Sequence, residues 1–442
     1  MKGRILIAGP AKGRIEGELK VPGDKSISHR LMMLGALATG VTRVRGFLAG
    51  EDNLATVRMF SRMGVRAEWL NTEKTAMRIH GVGMHGLREP VNVLDAGNSG
   101  TGARLMAGIL AGQPFFSVMT GDASLCKRPM SRVTKPLRMM GAYMDGREGG
   151  SRLPMSVRGG SLNAIQYRTK VASAQVKSCL LFAGLFADGQ TEISEPGSSR
   201  DHTERLLPVF GQPVDLHGRT IRISPAGRLQ APDSEMEIPA DPSAASFFAV
   251  GACLVPGSEV RLSQVGINPR RDGWRRILSK MGARLDLEEE SRLGLEPMAD
   301  IMVHSRGLRG IEVDREDVVD AIDEFPILFV AAALSEGEFV LNGASELRAK
   351  ESDRITTMAA ALRLMGADLE TRQDGIRIRG REQLRGGMRI DAAHDHRIAM
   401  AMSIAAQRAD SSIEILHAET ISTSFPDFVP MAQSLGLNIY WQ

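Results

Sequence analysis

The chain has 442 residues, of which 43% are hydrophobic and 24% charged, as in an ordinary globular protein that divides into two domains of about 200 residues each. With 55 Lys and Arg against 52 Asp and Glu, the net charge is only +3, which excludes a general polyanion-binding surface and makes any basic site local. The three cysteines, Cys126, Cys179 and Cys253, lack paired spacing, and no apolar run reaches the ~20 residues of a membrane span. We expect a cytoplasmic protein without disulfides, metal or a membrane segment.

The first distinctive stretch in chain order is 22–30, Pro-Gly-Asp-Lys-Ser-Ile-Ser-His-Arg, which runs into an apolar segment at 31–38. A Pro-Gly turn before regularly spaced leucines predicts a loop that opens a helix. Two hydroxyls, the Lys25 ammonium and the Arg30 guanidinium would then converge with backbone N–H groups at a helix N-terminus, where a phosphate binds well. The alternative is an ordinary solvated turn.

A Met-Gly phrase, or one similar to it, recurs six times, with its glycine at 64, 141, 211, 282, 366 and 436 and intervals of 77, 70, 71, 84 and 70 residues. Each glycine is expected to end a helix in the left-handed conformation, and the alternating residues after it to form a strand. An earlier helix in each unit ends in small residues, as at 35–40, 108–112, 184–189, 251–257 and 331–337. The pattern predicts an α/β (α+β) fold of six repeated βαβαβ-type units, built by stacking.

The stretch from Arg228 to Asp241 is proline-rich and polar, and it is the best linker in the chain. We predict one crossing between lobes at 228–241 and a second near 20–23. Lobe one would then comprise residues 1–20 plus 240–442, with repeats four to six. Lobe two would comprise residues 21–239, with repeats one to three.

Residues 95–102, Asp-Ala-Gly-Asn-Ser-Gly-Thr-Gly, are expected between a strand at Val91 to Leu94 and a helix at Ala103 to Leu110. The three glycines of this loop allow a ligand to approach the backbone closely, and the hydroxyl and amide groups of the loop suit an anion or a polar ring. A lone glycine-rich loop is weak support for a site, so its meaning depends on the other motifs.

Five further stretches each place a cation beside hydroxyls or carboxylates near an expected helix start. They are 127–129, 173–178, 198–202, 348–354 and 395–397. Any one of them could be a solvated surface charge. Five at equivalent points of a repeated unit imply a ligand, or two ligands, with several negative charges, which guanidinium forks bind well.

Two carboxylates are candidates for acid–base chemistry. Asp323 precedes the strongly apolar helix expected at Phe325 to Val330, and Glu351 lies between Lys350 and Arg354. Each could be a helix N-cap or a group that transfers a proton. The charged neighbours of Glu351 would hold it ionised, so that proton donation would need a relay.

Seven motifs together resemble the 5-enolpyruvylshikimate-3-phosphate (EPSP) synthase family, in the same order and across the full chain. They are 22–30, Gly97-Asn-Ser-Gly-Thr101, Arg128-Pro129, Ser173-Ala-Gln175, 347–354 (Leu-Arg-Ala-Lys-Glu-Ser-Asp-Arg), Asp395-His-Arg397 and Ser424-Phe-Pro-Asp427. The stretches 199–204 and 323–326 look more like the branch of the family known for glyphosate-tolerant members than like the enteric type.

The resemblance implies an enzyme of chorismate and aromatic amino acid biosynthesis that transfers the enolpyruvyl group of phosphoenolpyruvate to the 5-hydroxyl of shikimate 3-phosphate. Phosphate would leave by addition and elimination through a tetrahedral intermediate, without metal or organic cofactor. The fold would be two-lobed, with three repeats per lobe, helices inside and sheets outside. By position, the shikimate 3-phosphate contacts correspond to Lys25, Ser26, Arg30, Ser173, Ala174, Gln175, Arg200, Asp323 and Lys350. The phosphoenolpyruvate contacts correspond to Lys25, Gly100, Arg128, Gln175, Arg354 and Arg397.

The chemistry implied needs a proton removed from the sugar hydroxyl and one added at the methylene carbon. We assign Asp323 to the hydroxyl and Glu351 to the methylene carbon, with Lys25 assisting proton transfer and phosphate departure. Thr423 stands where many members of the family have a lysine, which puts one phosphoenolpyruvate contact in doubt. Gly100 keeps the small residue whose replacement by alanine is associated with glyphosate tolerance, so we predict inhibition by glyphosate.

Two other functions are considered. The sister family transfers the same group to UDP-N-acetylglucosamine, but it carries Lys-Asn where this chain has Lys25-Ser26, and its reactive cysteine lies farther from the Arg-Pro pair than Cys126 does. A nonenzymatic nucleic-acid or phosphate-binding protein fits poorly with the near-neutral charge and 5% aromatic residues. We expect a monomer with no nucleic-acid or membrane partner, whose lobes close on shikimate 3-phosphate.

Overall fold

The computed structural model describes residues 4–293 and 296–442, which form mixed helices and strands. The helices are α1 (Lys25–Leu37), α2 (Glu51–Arg62), α3 (Gly100–Ala111), α4 (Ser131–Met139), α5 (Ala174–Gly184), α6 (His202–Leu206), α7 (Pro242–Leu254), α8 (Gly273–Lys280), α9 (Arg315–Asp320), α10 (Phe325–Ala333), α11 (Arg354–Leu364), α12 (His396–Ala405) and α13 (Phe428–Ser434).

The strands are short, as is usual for repeated α/β units. They are β1 (Leu6–Ala8), β2 (Glu16–Leu19), β3 (Ala38–Arg45), β4 (Arg66–Trp69), β5 (Ala76–Val82), β6 (Leu94–Asp95), β7 (Phe116–Thr120), β8 (Tyr143–Gly146), β9 (Met155–Arg158), β10 (Gln166–Arg168), β11 (Thr191–Ser194), β12 (Asp215–His217), β13 (Thr220–Ile223), β14 (Leu229–Gln230), β15 (Met236–Glu237), β16 (Glu259–Gly266), β17 (Arg284–Leu293), β18 (Glu296–His304), β19 (Glu338–Leu341), β20 (Asp368–Thr371), β21 (Ile376–Arg379), β22 (Arg389–Asp391), β23 (Ile413–Leu416) and β24 (Ile439–Trp441).

The described chain divides into two compact units. Unit 1 comprises Met1–Pro22, Pro239–Arg292 and Pro297–Gln442, and unit 2 comprises Gly23–Ile238 and Leu293–Glu296. The predicted lobes, as domains that fold and move separately, stay a prediction.

Six sheets occur among the described residues, and each belongs to one of the six predicted repeats. In unit 2 they are β14-β3-β5-β4 with β15 beside β3, then β6-β7-β9-β8 and β10-β11-β13-β12. In unit 1 they are β17-β18-β16-β2, β19-β21-β20 and β22-β23-β1-β24. The second repeat shows the pattern: Leu94 pairs with Met119 in parallel across helix α3, and Ser117 pairs with Val157 in antiparallel.

The six glycines of the recurring phrase have the predicted conformation. Their φ angles lie between +82° and +101°, the left-handed region that glycine adopts without strain. A strand follows each of them, namely β4, β8, β12, β17, β20 and β24. The prediction of six repeated units is therefore confirmed.

Each unit has its own apolar core, with helices inside and sheets outside. Helix α10 is buried at every position, and α1 is buried from Ile27 to Leu37, as expected for helices that are apolar on all sides. Strands such as β3 and β21 alternate between buried and more exposed residues, so one face of their sheets packs on the helices. The predicted layering is confirmed within each unit.

The predicted linker at 228–241 contains two short strands, because β14 and β15 lie within it and pair in parallel with β3. The boundary between the two units, at Ile238–Pro239, falls in the same stretch. These two strands complete the first sheet of unit 2. The N-terminal strands β1 and β2 belong to other sheets, because they pair with β23, β24 and β16 in unit 1. The strand expected from Val91 is only Leu94–Asp95, and Val91 itself is 98% exposed.

Candidate active site

The motif at 22–30 begins helix α1 of unit 2 as predicted, and Asp24 is the N-cap of that helix. The Asp24 carboxylate accepts a hydrogen bond from the Ile27 N–H at 2.9 Å. Lys25 and Ser26 are partly exposed at the first turn, and Lys25 Nζ forms an ion pair with Asp52 Oδ2 of helix α2. Ser28 is fully buried and bonds to the Asp24 carbonyl at 2.9 Å. The expectation that two hydroxyls face a ligand was therefore wrong for Ser28.

His29 links helix α1 to helix α2 and to the start of helix α3. Its Nδ1 lies 2.8 Å from Thr56 Oγ1 of α2, and its Nε2 lies 3.3 Å from Ser99 Oγ, the N-cap of α3. The Ser99 hydroxyl also accepts a hydrogen bond from the Gly102 N–H at 3.0 Å. Burial, with smaller contributions from Lys25 and Arg30, holds the pKa of His29 well below its usual value, so the ring is neutral.

Arg30, whose guanidinium was expected to converge with Lys25 at the helix N-terminus, is 2% exposed. Its Nε donates to Thr203 Oγ1 and its Nη2 to Ser178 Oγ, both at 2.7 Å, while Nη1 donates to the Ser26 carbonyl at 3.0 Å. Burial lowers the pKa of Arg30 to about 10, against opposing carboxylates led by Glu204. Arg30 thus joins α1 to α5 and α6, and its predicted contact with shikimate 3-phosphate is untested.

Two guanidinium groups converge at the start of α3. A Cβ atom placed on Gly100 would lie 3.0 Å from Arg104 Nη1 and 3.3 Å from Arg128 Nη1. Arg128 Nη2 donates to Asn98 Oδ1 at 2.6 Å, which holds it against the glycine-rich loop. A side chain with a Cβ atom at this position would require both guanidinium groups to shift by a few tenths of an ångström.

The start of helix α5 joins this cluster through Gln175. Its Oε1 accepts a hydrogen bond from Arg104 Nη1 at 2.6 Å, and its Nε2 donates to Thr101 Oγ1 at 2.9 Å. Ser173 is the N-cap of α5 and accepts from the Val176 N–H, and Ala174 is the first helical residue. The N-termini of α3 and α5 therefore lie together, where N–H groups favour an anion.

A buried charge cluster holds the loop before Arg200. Lys177 Nζ lies 2.9 Å from Glu195 Oε2 and 2.7 Å from Glu204 Oε1. Burial alone would lower the pKa of Lys177, but Glu204 and Glu195 raise it above its ordinary value. Glu195 Oε1 also accepts from Ser199 Oγ at 2.7 Å and the Ser173 N–H at 3.2 Å. It thus ties Ser173 to the loop that carries Arg200, which is partly exposed.

In unit 1, Arg354 is the centre of the candidate site. It begins helix α11, is 1% exposed, and donates to three carboxylates. Its Nε lies 2.9 Å from Asp395 Oδ2, its Nη1 3.1 Å from Asp323 Oδ1 and its Nη2 2.6 Å from Glu351 Oε2. Burial opposes its charge, but Asp395, Glu351 and Asp323 outweigh burial and raise its pKa above the usual value.

The two predicted acid–base residues are therefore brought together by one guanidinium. Asp323 Oδ1 also lies 3.0 Å from Lys350 Nζ. The side chains of Asp323, Glu351 and Lys350 are 14%, 20% and 25% exposed, so all three reach solvent. Asp323 is not the N-cap of α10, which begins after Glu324.

Arg397 lies at the start of helix α12, whose N-cap is Asp395. The Asp395 Oδ1 atom accepts from the Arg397 N–H at 3.0 Å. The Arg397 side chain turns toward α10, and its Nη1 donates to the Asp323 carbonyl at 2.9 Å. The structure therefore brings Arg397 to the cluster around Arg354.

The chain is similar in sequence to a known enzyme family over nearly its whole length. The family model described as EPSP synthase (3-phosphoshikimate 1-carboxyvinyltransferase) matches residues 10–431. A relative from Methylococcus capsulatus named 3-phosphoshikimate 1-carboxyvinyltransferase is 52% identical over 436 residues, 98% of each chain. The chain belongs to the EPSP synthase family.

Solved structures support the same fold. An EPSP synthase from Acinetobacter baumannii has a TM-score of 0.88 and 48% identity, with 99% of this chain and 100% of that chain covered. The enolpyruvyl transferase NikO from Streptomyces tendae has a TM-score of 0.81 over 100% of this chain and 99% of that one, but only 15% identity. The latter likeness concerns the fold alone.

Two residues considered in the sequence analysis contact nearby backbone. Thr423, where the family resemblance implies a lysine in many members, donates its hydroxyl to the Thr420 carbonyl at 2.7 Å. Cys126, weighed above against the sister family, is half-buried and donates its thiol to the Gly121 carbonyl at 3.3 Å. Both side chains thus bond to nearby backbone.

Sequence reasoning missed several polar partners of the predicted residues. They are Asp52, Arg104, Glu195 and Glu324. Arg104 carried a usable signal, because it stands one helical turn after Gly100 and so shares its face of α3. The roles of all these residues in substrate binding stay predictions.

The described parts of the chain contain no group of three or more His, Cys, Asp or Glu side chains that could hold a metal ion. None of the helices in residues 4–293 and 296–442 is long and apolar enough to cross a membrane.

Proposed function

We propose that the protein transfers the enolpyruvyl group of phosphoenolpyruvate to the 5-hydroxyl of shikimate 3-phosphate and releases phosphate. The observation that carries this proposal is full-length membership of the EPSP synthase family. It is supported by the site, which holds both kinds of group that the reaction needs. Cations at helix starts suit two anionic substrates, and two solvent-reaching carboxylates suit two proton transfers.

In unit 2, Lys25, Ser26, Arg200 and the start of α5 are proposed to bind shikimate 3-phosphate. Ser173, Ala174 and Gln175 belong to that helix start, where backbone N–H groups favour a phosphate or a carboxylate. Arg30 would act mainly by holding the helices that carry these groups.

For phosphoenolpyruvate, the contacts that we propose are Lys25, Gly100, Arg128, Gln175, Arg354 and Arg397. The guanidinium forks would bind carboxylate and phosphate oxygens and stabilise charge that develops in the reaction. Lys25 would also assist the departing phosphate, since an ammonium can both donate a proton and neutralise the leaving group.

Asp323 is proposed to accept the proton of the 5-hydroxyl, with Lys350 beside it to bind the sugar. Glu351 would deliver a proton to the methylene carbon, and bond formation at the neighbouring carbon would give the tetrahedral intermediate. Both carboxylates contact Arg354, which favours their ionised forms. Glu351 must therefore receive its proton before it donates one.

The test is phosphate release from phosphoenolpyruvate and shikimate 3-phosphate by the wild-type chain and by Asp323→Ala and Lys25→Met. We expect both substitutions to lower kcat by about 100-fold or more, as for loss of a positioned acid or base. The matched control is Asp286→Ala, an aspartate whose side chain is 44% exposed, which should leave activity unchanged. Full activity in both site variants would contradict the mechanism, and an inactive wild type would contradict the function.

We further propose that glyphosate inhibits the enzyme in competition with phosphoenolpyruvate. Gly100 leaves room before Arg104 and Arg128, so a second anion of similar size has access to the same guanidinium groups. Negligible inhibition at glyphosate concentrations well above the KM for phosphoenolpyruvate would contradict this proposal.

The protein is also proposed to act as a monomer in the cytoplasm. Each unit buries a core of its own, and three free cysteines fit a reducing compartment. Light scattering at the mass of one chain, with and without substrates, tests the oligomeric state.

A further inference from the structure

Glu324 is a buried carboxylate beside the proposed base. It follows Asp323 directly and precedes α10, and none of its side-chain surface is exposed. A carboxylate without contact with water needs a compensating charge and hydrogen-bond donors. Its neighbours therefore indicate what it does.

Glu324 stands between a hydroxyl and a site arginine. Its Oε1 accepts a hydrogen bond from Ser243 Oγ and lies 3.7 Å from Arg397 Nη1. Ser243 Oγ in turn accepts from Arg271 Nη2 at 2.9 Å, and that nitrogen also donates to Asp241 Oδ1 at 2.8 Å. A row of alternating charges thus runs through the interior of unit 1 and ends at Arg397.

Arg397 has few other restraints. Its Nη1 donates to the Asp323 carbonyl at 2.9 Å, and Glu324 is the one carboxylate within 4.0 Å of its guanidinium in the described part of the chain. An arginine side chain has many rotamers, so a guanidinium held by one hydrogen bond would sample several positions. The charge of Glu324 selects the position beside Asp323.

We propose that Glu324 is a positioning residue that holds the Arg397 guanidinium against the Asp323 carbonyl. The arginine that is to bind phosphoenolpyruvate then keeps a fixed place beside the residue that is to accept the hydroxyl proton. This inference rests on the proposed function. It assigns to Glu324 a part in phosphoenolpyruvate binding and none in proton transfer, because the carboxylate is buried behind the arginine.

The test is Glu324→Gln, which keeps the shape and the acceptor for Ser243 but removes the charge. The KM for phosphoenolpyruvate should rise about 5- to 20-fold, the range for loss of one close charge pair. The KM for shikimate 3-phosphate should stay unchanged and kcat should change by less than about threefold, since no reacting atom is touched. Glu324→Asp keeps the charge, and its KM should lie between those of the wild type and the Gln variant.

The matched control is Asp317→Asn in the same unit. Asp317 is 3% exposed and accepts from Arg276 Nε at 2.7 Å and Lys280 Nζ at 2.6 Å, so it is also a buried, paired carboxylate. Its loss should lower the melting temperature without raising the KM for phosphoenolpyruvate. Should Glu324→Gln fail to fold, Ser243→Ala, which removes the donor to Glu324, should raise the same KM by a smaller factor.

An unchanged or lowered KM for phosphoenolpyruvate in Glu324→Gln would overturn the inference, as would a rise of equal size in Asp317→Asn. So would an Asp variant that behaves like the Gln variant. All these outcomes presuppose an active wild type. A wild type that releases no phosphate from the two substrates would instead overturn the proposed function.

Discussion

Asp395 is expected to determine the stability of unit 1, because it is the fully buried partner of Arg354. It has no exposed surface and accepts hydrogen bonds from Arg354 Nε at 2.9 Å, from Ser352 Oγ at 3.1 Å and from the Arg397 N–H at 3.0 Å. The substitution Asp395→Asn keeps the shape and one acceptor oxygen, which can still cap α12. It removes the charge and replaces the oxygen that accepts from Arg354 Nε and Ser352 Oγ by an NH2 group, which cannot accept.

The magnitude follows from the surroundings of Arg354. Removing one partner of a buried ion pair costs about 3–5 kcal/mol. Asp323 and Glu351 remain within 3.1 Å and 2.6 Å of the guanidinium, so part of its charge stays compensated, and we expect Asp395→Asn to cost about 2–3 kcal/mol. Asp395→Ala also removes the cap of α12, which adds about 1 kcal/mol. The loss for Asp395→Asn corresponds to a fall in melting temperature of about 4–12 °C, since each kcal/mol shifts the melting temperature of a unit of this size by about 2–4 °C.

Urea unfolding followed by tryptophan fluorescence measures this loss, since unit 1 contains the buried Trp274. The matched control is Asp410→Asn, an exposed aspartate of the same unit that accepts from the Gly386 N–H at 2.7 Å. Its free energy of unfolding should lie within about 0.5 kcal/mol of the wild type. The reasoning is refuted if Asp395→Asn lies in that range too.

Two further outcomes are expected in unit 2. Gly100→Ala places a methyl group 3.0 Å from Arg104 Nη1 and 3.3 Å from Arg128 Nη1, so both guanidinium groups must shift by a few tenths of an ångström. Steady-state kinetics should therefore show a KM for phosphoenolpyruvate that is raised about 3- to 30-fold. An unchanged KM would contradict this reasoning. His29 is neutral in the folded protein because its pKa is depressed, whereas in the unfolded chain it binds a proton below about pH 6.5. The free energy of unfolding should therefore fall as the pH falls below 6.5, by up to about 1.4 kcal/mol for each pH unit. Urea titrations at several pH values should show a smaller slope for His29→Gln, and an equal slope would exclude His29 as the cause.

The repeat architecture could be predicted because its signals are local. A glycine with positive φ, such as Gly64 or Gly436, is required wherever a helix ends and the chain turns into a strand, and six such positions at similar intervals define the units. The pairing of the chain ends could not be predicted in the same way. Strand β1 pairs with β23 and β24, more than 400 residues away, and three apolar residues do not specify a partner at that distance.

In the candidate site, too, local features could be predicted from the sequence and long-range contacts could not. Sequence reasoning predicted which helix starts carry cations, since Ser173 caps α5 and Arg354 begins α11. It did not predict which way each cation turns. Arg30 points inward because Ser178 and Thr203, 148 and 173 residues away, present hydroxyls to it. Such partners belong to other repeats and carry no signal near residue 30.

The arrangement around Arg354 gives a physical reason for a single arginine to serve both of the proposed proton transfers. A guanidinium is rigid and planar, so its two terminal nitrogens hold Asp323 and Glu351 at a fixed separation. The proposed reaction removes a proton from the attacking hydroxyl and adds one at the carbon beside the point of attack, so the two groups must act at atoms that are bonded to the same carbon in the intermediate. A single guanidinium that contacts both carboxylates meets that requirement, because it leaves them little freedom to move relative to each other. Asp395 holds the third nitrogen, and the stability of unit 1 and the geometry of the proposed acid–base pair should therefore depend on the same buried carboxylate.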